Sequence, residues 1–244
     1  MTLKNILDTT AHRPWELPAE SWKFYQEWNE VVFLHYPVTL TELKKHVPKE
    51  LEIDLFDGTP WVSIVAFTME KIRPKNVPAF SPISDFDEIN IRTYVRSGNK
   101  TGVYFLSIEA GKKLSCAIAR RISELPYRFS KIERTDQKYQ AQNPKFNDLL
   151  NIEFTIGKKL RKKTRLDIWL TERYALFQDS EQAINEFDIH HLEWCIHELT
   201  LEKLEIKYPR FEKLINNTPA KIHYSKGVKV IAWNKKKKQD IKNK

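Results

Sequence analysis

Apolar and polar residues alternate through Ser84–Val95, SDFDEINIRTYV, and the other elements arrange themselves around this stretch. As a strand it carries Ile89, Ile91 and Val95 on one face and Glu88, Asn90, Arg92 and Tyr94 on the other. A carboxylate, an amide, a guanidinium and a phenol then follow at steps of roughly 7 Å. Such a row lines a polar pocket or forms the wet side of an antiparallel sheet. The successor, Val103–Glu109, lies beyond Ser97–Gly102, so the two strands are expected to pair antiparallel.

The same patterning places the remaining elements. Val31–Tyr36 reads as a strand stopped by Pro37, and Leu40, Leu43 and Val47 share one side of a short helix capped by Thr39 or Thr41. Leu51–Phe56 and Trp61–Met69 flank Asp57-Gly58, a hairpin signal. Three prolines in nine residues, Pro74 to Pro82, make a surface loop. Lys112 to about Ser123 is the best helix, with Leu114, Ala117, Ile118 and Ile122 as its apolar stripe, and it ends before Leu125-Pro126. Strands are expected over Tyr127–Ile132, Gln137–Gln142 and Leu149–Ile156. A basic loop covers Lys158–Arg165, a helical turn Leu166–Leu170, and an extended segment Thr171–Phe177. Another strand runs from Ile189 through His197 to Leu204, and a last hairpin joins Ile222–Ser225 to Val228–Trp233 at Lys226-Gly227. About ten short strands with two or three helices describe a mainly β, α+β protein, and closure of an antiparallel sheet into a barrel would protect its edges.

Composition adds the scale. The chain has 244 residues, 41% apolar, with 6 Gly and 12 Pro and no Gly/Ser-rich stretch. One globular domain over residues 1–225 is therefore expected, with residues 1–27 as an arm covering part of it. No apolar run approaches a membrane span, and the start lacks a secretory pattern. Cys116 and Cys195 have no metal or disulfide spacing, which suits a reducing cytoplasm. The net charge of +9 is concentrated at the end, since residues 226–244 carry eight lysines and one acid. This segment reads as the end of the last hairpin and a disordered solubilising tail, with at most a weak attraction to nucleic acid.

No P-loop, Rossmann glycine pattern, nucleophile elbow, HExxH or EF-hand loop occurs, so no cofactor is implied. His190, His191 and His197 are the local histidine cluster. On one strand His191 and His197 would lie about 20 Å apart, so no metal site is expected and His191 reads as a pocket or core residue. Arg92, Arg120 and Arg173 supply cations, Glu88 and Glu172 carboxylates, and Tyr94, Tyr104, Tyr127 and Tyr174 phenols. Singly these suit ion pairs and core tyrosines. In one cavity they would hold a small anionic or carbonyl compound.

The segments FDEINIRTYV, GVYFLSIEA, AR…LPY, LTERY and IHH..W, in order over about residues 28 to 205, resemble the YqjF-like family of uncharacterised bacterial proteins, domain of unknown function 2071. Ser123 stands where that family usually has an aromatic residue, and Glu193 where it usually has proline. The resemblance implies an acetoacetate decarboxylase-like antiparallel β-barrel enclosing a cavity, often in oligomers. It also implies a comparison with that enzyme's lysine nucleophile, which follows a proline and is activated by a neighbouring cation. Glu88 is a plausible counterpart of its acid, but Tyr127 and Arg128 follow Pro126 here, so no amine is in position for a Schiff base.

The expected function is binding of a small organic acid or carbonyl compound in an internal pocket of a cytoplasmic protein, a candidate homo-oligomer not bound to a membrane. The candidate lining residues are Glu88, Asn90, Arg92, Tyr94, Tyr104, Arg120, Tyr127, Arg173, Tyr174 and His191. An enzyme using Glu88 or Tyr127 in acid-base chemistry on a β-keto or enolisable acid is the alternative. Nucleic-acid association through the basic tail is a third reading.

Overall fold

The computed structural model describes residues 2–180 and 183–240. After helix α1 (Leu3–Asp8), the elements run β1 (Phe24–Pro37), α2 (Leu40–Leu43), β2 (Glu52–Ile53), β3 (Trp61–Pro74), α3 (Ser81–Ser84), β4 (Phe86–Ser97) and β5 (Lys100–Ala110). Next come α4 (Lys113–Ser123), β6 (Tyr127–Phe129), β7 (Lys131–Thr135), β8 (Lys138–Asn143), β9 (Asp148–Lys159), α5 (Arg165–Thr171), β10 (Ala175–Asp179) and β11 (Ala183–His190). β12 (Ile196–Lys207), β13 (Lys221–Ala232) and β14 (Lys236–Asp240) complete the chain.

The protein is mainly β, and its strands form one mixed sheet. β11, β10, β5, β4, β3, β1 and β13 are paired in that order, and β13 pairs back to β11, so the ladder returns on itself. A wing of β12, β9, β8 and β7 branches from β13. β4 pairs antiparallel with β5 as expected, Thr93 opposite Tyr104 and Asn90 opposite Ile108. The sheet is not purely antiparallel, because β10 and β6 both run parallel to β5. Each is delivered by a preceding helix, α5 and α4, which is how a chain makes a parallel neighbour.

Both faces of the central strands are buried. Val32, Leu34, Ile64, Ala66, Ile89 and Ile91 join one apolar layer with Ile152 and Phe154 of the wing. Phe33, Val65, Phe67 and Ile108 belong to the other, together with Cys116 of α4, Leu170 of α5 and Trp194. Alternation therefore separates two cores, not a core from solvent.

Several local expectations give way to tertiary structure. Asp57-Gly58 does turn, but only the single bridge Phe56 to Thr59 closes around it. Pro60 brings no amide to extend that ladder, and β2 pairs with β4. Residues 127–132 divide into β6 and β7, and residues 191–195 interrupt the strand expected through His197. The apolar stripe of α4 is displaced: Ser115 and Cys116 are buried, while Leu114 is exposed. The side chain of Ile122 lies outside the described residues.

The end of the chain departs most. Lys226-Gly227 is not a hairpin turn but part of continuous β13, where Gly227, at φ +129°, lets the Trp28 carbonyl come close. The lysine run expected to be disordered supplies β14, paired with β11. Acids account for this: Lys235 pairs with Glu124, Lys236 with Glu20 at 3.0 Å and Lys238 with Glu186 at 3.2 Å. Residues 241–244 of the expected tail lie outside the described residues.

The parallel β5–β10 seam depends on a glycine. A Cβ at Gly102 would lie 2.4 Å from the Ala175 carbonyl oxygen, closer than atoms pack. Gly102→Ala is expected to lower the unfolding free energy by about 1–3 kcal/mol in urea titrations, by wedging this seam apart.

Candidate functional site

Glu88, Asn90, Arg92 and Tyr94 share one face of β4 and are at most 6% exposed, so the row is no wetted surface. α4 ends in left-handed Glu124, at φ 59°, and Leu125-Pro126 then directs Tyr127 into β6, opposite Ile108 of β5. The Tyr127 hydroxyl donates to Glu88 Oε2 at 2.8 Å, and Asn90 Nδ2 donates to Glu88 Oε1 at 3.3 Å. Burial pushes the Glu88 carboxyl up to about 7 despite these two hydrogen bonds. Burial, with Glu88 beside it, pushes the Tyr127 phenol well above its usual range. The pair thus holds a carboxyl able to gain or lose a proton near neutrality.

Arg92 sits two residues along the same face, opposite Ser63 of β3 and Phe105 of β5. Its guanidinium lies 5.8 Å from the Phe33 ring centre and donates once, to the Leu170 carbonyl at 3.4 Å. Arg92 Nε and Asn90 Oδ1 are buried without a hydrogen-bond partner. Among the described residues no carboxylate lies within ion-pair distance of Arg92, and burial pushes its pKa down. The Tyr94 hydroxyl lies 2.9 Å from the Leu170 carbonyl and 2.6 Å from Ser63 Oγ.

Arg173, equally buried, is held differently. It pairs with Asp54 at 2.7 Å, donates to the Trp169 carbonyl at 2.8 Å, and stacks 4.3 Å from Trp169 and 4.8 Å from Tyr94. This is an ion pair that anchors α5. Tyr174 donates to Glu172 at 2.8 Å and packs 4.9 Å from His191, whose Nδ1 lies 2.8 Å from the Leu192 carbonyl oxygen. His191 joins Trp28 and Trp194 in an aromatic cluster that reaches Phe33, so it borders the Arg92 environment without touching Arg92. Tyr104 lies on the opposite face of the sheet, donating to Asp179 at 2.7 Å, and so does not share the site. Arg120 is exposed on α4, because the buried side of that helix is the one with Cys116.

Sequence reasoning missed a second polar line. Ser63 Oγ lies 2.6 Å from His35 Nδ1, His35 Nε2 lies 3.1 Å from His223 Nδ1, and His223 Nε2 lies 2.8 Å from Asp167 Oδ1. The two histidines are 188 positions apart, so no spacing signals them. Only the Thr164–Asp167 capping box, which starts α5, is visible locally. Grooves of about 380 and 300 Å3 flank α5. Trp169, Ile168 and Phe56 line the larger, Asp167, His223 and Lys221 the smaller, and neither is lined by Glu88, Asn90 or Arg92.

Comparison with known proteins agrees with this architecture. Residues 25–229 match the DUF2071 family, described as an uncharacterized conserved protein. Uncharacterized protein YqjF of Bacillus subtilis (strain 168) is 30% identical over 230 residues, 89% of this chain and 93% of its own length. Among solved structures, acetoacetate decarboxylase from Legionella pneumophila superposes with a TM-score of 0.62 at 14% identity, covering 97% of this chain and 94% of that one. The enduracididine biosynthesis enzyme MppR complexed with pyruvate gives 0.61 at 10% identity, covering 93% and 94%. An acetoacetate decarboxylase-like enzyme from Sphingomonas wittichii RW1 gives 0.58 at 13% identity, covering 90% and 94%. At such identities the likeness speaks for the fold alone, whereas the family match spans most of the chain: the chain belongs to the DUF2071 family and has an acetoacetate decarboxylase-like fold.

Proposed function

We propose that this protein binds a small organic acid or carbonyl compound against the buried face of β4, with Arg92 holding the acid and Glu88, Asn90 and Tyr127 recognising the rest of the molecule. The observation that carries this reading is Arg92 itself, a buried guanidinium with a vacant donor and no carboxylate partner among the described residues. A carboxylate ligand supplies the missing counter-charge with two parallel hydrogen bonds. Pyruvate, the acid complexed with MppR, is a ligand of this class in a protein of the same fold.

The site is non-covalent in this reading. Tyr127 follows Pro126, and among the described residues no lysine is buried. Catalysis is the second reading, favoured by the Glu88 carboxyl near 7 beside a phenol, a pairing suited to proton transfer on an enolisable acid. Polyanion binding through the basic end is less supported, since Lys235, Lys236 and Lys238 are paired with acids. No described helix is long and apolar enough to cross a membrane, and a cytoplasmic setting belongs to the proposal.

Pyruvate and acetoacetate titrated calorimetrically into the full chain serve as probes. Arg92→Met is expected to weaken binding at least about tenfold, the equivalent of one charge-assisted hydrogen bond, without lowering the melting temperature, because it removes an unpaired buried charge. Arg173→Met is expected to cost on the order of 3 kcal/mol of stability, by leaving buried Asp54 with only the half-exposed Arg96 at 3.0 Å as its counter-charge. Equal destabilisation by the two changes, or unaltered affinity in Arg92→Met, would overturn the assignment.

Stability should also report Glu88. In the unfolded chain a glutamate ionises near 4.3, but Glu88 in the fold does so at about 7. Between these values the folded state holds a proton that the unfolded state has released. The Glu88 contribution is therefore full below about pH 4, and falls by on the order of 3 kcal/mol as pH rises through 7. Urea midpoints measured from pH 5 to 8 should show that decline in the wild type and a flatter profile in Glu88→Gln.

A further inference from the structure

Four side chains from three strands and a helix continue inward from the smaller groove in a single hydrogen-bonded file. Asp167, His223, His35 and Ser63 are each at most 2% exposed, and the file ends on the Tyr94 hydroxyl beside Arg92. Its outer end forms part of the groove wall, with Lys162, Thr164, Glu198 and Lys221 around it.

Donor and acceptor counting allows this file a neutral arrangement and, with one proton more, arrangements with the cation on either imidazole; Asp167, 2.8 Å from His223 Nε2, selects the one with the cation on His223. Lys221 lies 2.5 Å from Asp167 Oδ1, and the Thr164 amide and hydroxyl each donate to Oδ2 at 2.7 Å. These contacts outweigh burial and hold the Asp167 carboxyl at about 2, so it is ionised and only accepts. In the first arrangement both imidazoles are neutral: His223 Nε2–H donates to Asp167, His35 Nε2–H to His223 Nδ1 and the Ser63 hydroxyl to His35 Nδ1, while the Tyr94 hydroxyl, within reach of the Leu170 carbonyl at 2.9 Å and Ser63 Oγ at 2.6 Å, rotates from the carbonyl to Ser63. The Leu170 carbonyl then accepts from Arg92. In the second, His223 is an imidazolium on Asp167, and every bond inward of it is reversed. His223 Nδ1–H donates to His35 Nε2, His35 Nδ1–H to Ser63, Ser63 to Tyr94 and Tyr94 to the Leu170 carbonyl.

We propose that Ser63, His35, His223 and Asp167 form an acid-base relay that moves one proton between the Tyr94 hydroxyl and His223. Resting on the reading of Arg92 as the anchor of a bound acid, the relay removes a proton from that ligand. The ligand proton passes to the Tyr94 oxygen, the Tyr94 proton to Ser63, the Ser63 proton to His35 Nδ1 and the His35 Nε2 proton to His223 Nδ1. The electron pair stays on the ligand, facing the Arg92 guanidinium, and the positive charge comes to rest on His223 beside Asp167. The reverse sequence returns the proton. Tyr94 is the group that would touch the ligand, and the other four position and relay.

The charged and titratable groups facing the imidazoles set the resting state. Burial, His223, Arg92 from β4 and Lys221 from β13 hold His35 well below 6.5. Burial also lowers His223, opposed by Asp167 from α5 and reinforced by Lys221. Both rings are therefore neutral at pH 8, and acid populates the second arrangement through His223.

Long-range proton–nitrogen NMR of the 15N-labelled full chain tests this between pH 8 and 4.5, on assigned His35 and His223 resonances. Expected are two Nε2–H tautomers at pH 8 and, as His223 becomes doubly protonated, a switch of His35 from Nε2–H to Nδ1–H while it remains neutral, at the same midpoint. Lys221→Gln, a change at a partly exposed residue, removes a cation beside His223. It should raise both midpoints together by about one pH unit. A His35 tautomer that never changes, independent midpoints, protonation of His35 before His223, or a His223 that stays neutral to pH 4.5 would each overturn the relay. The outcome is separate from that of the ligand assignment: a relay that switches in a protein binding neither pyruvate nor acetoacetate leaves the relay standing and removes its proposed substrate.

Discussion

Taking a guanidinium out of water without a carboxylate beside it costs several kcal/mol, and the packing around Arg92 has to supply that energy. It does so by burying both faces of β4. One face packs on the wing through Ile89 and Ile91, the other under α4, α5 and residues 191–195 through Phe33, Ile108, Leu170 and Trp194. A sheet with one wetted face would have left Arg92 and Glu88 in a high dielectric, where their charges are ordinary. The double layer is what perturbs these two groups.

The contrast between the two buried arginines shows how function and stability are divided. Arg173 has Asp54, a carbonyl and two aromatic faces, and fixes α5. Arg92 has one long hydrogen bond and the edge of an aromatic cluster. α5 links the two. Its Leu170 carbonyl receives both Arg92 and Tyr94, its Asp167 receives His223, and grooves open on both of its sides. A seven-residue helix that opens on a capping box thus touches Arg92, Tyr94 and His223 at once.

Much of this is legible in the sequence because it depends on period. The twofold alternation of β4, the helix before Pro126 and the antiparallel β4–β5 pair follow from local patterning. Tyr127 in place of an amine is a fact of sequence. Arg120 and Tyr104 fall outside the site for a reason periodicity cannot supply. Alternation tells which residues share a face, but not which of two buried faces holds the site, and a helix stripe does not say which side its neighbours cover. The lysine run looks disordered when its charge is counted alone, whereas Glu20, Glu124 and Glu186 approach it from distant parts of the chain.

The sequence by itself determined the mainly β class, the family, the polar composition of the β4 face and the lack of a lysine after Pro126. Each is carried by local patterns, single or in series along the chain, that are read without knowing what packs against them. Tertiary structure alone decided that Arg92 would have no carboxylate partner among the described residues and that Glu88 would meet Tyr127. It alone decided that His35 and His223, 188 residues apart, would share a hydrogen bond. Pairing and desolvation are properties of what surrounds a group, and in a closed run of strands those surroundings come from positions far away along the chain.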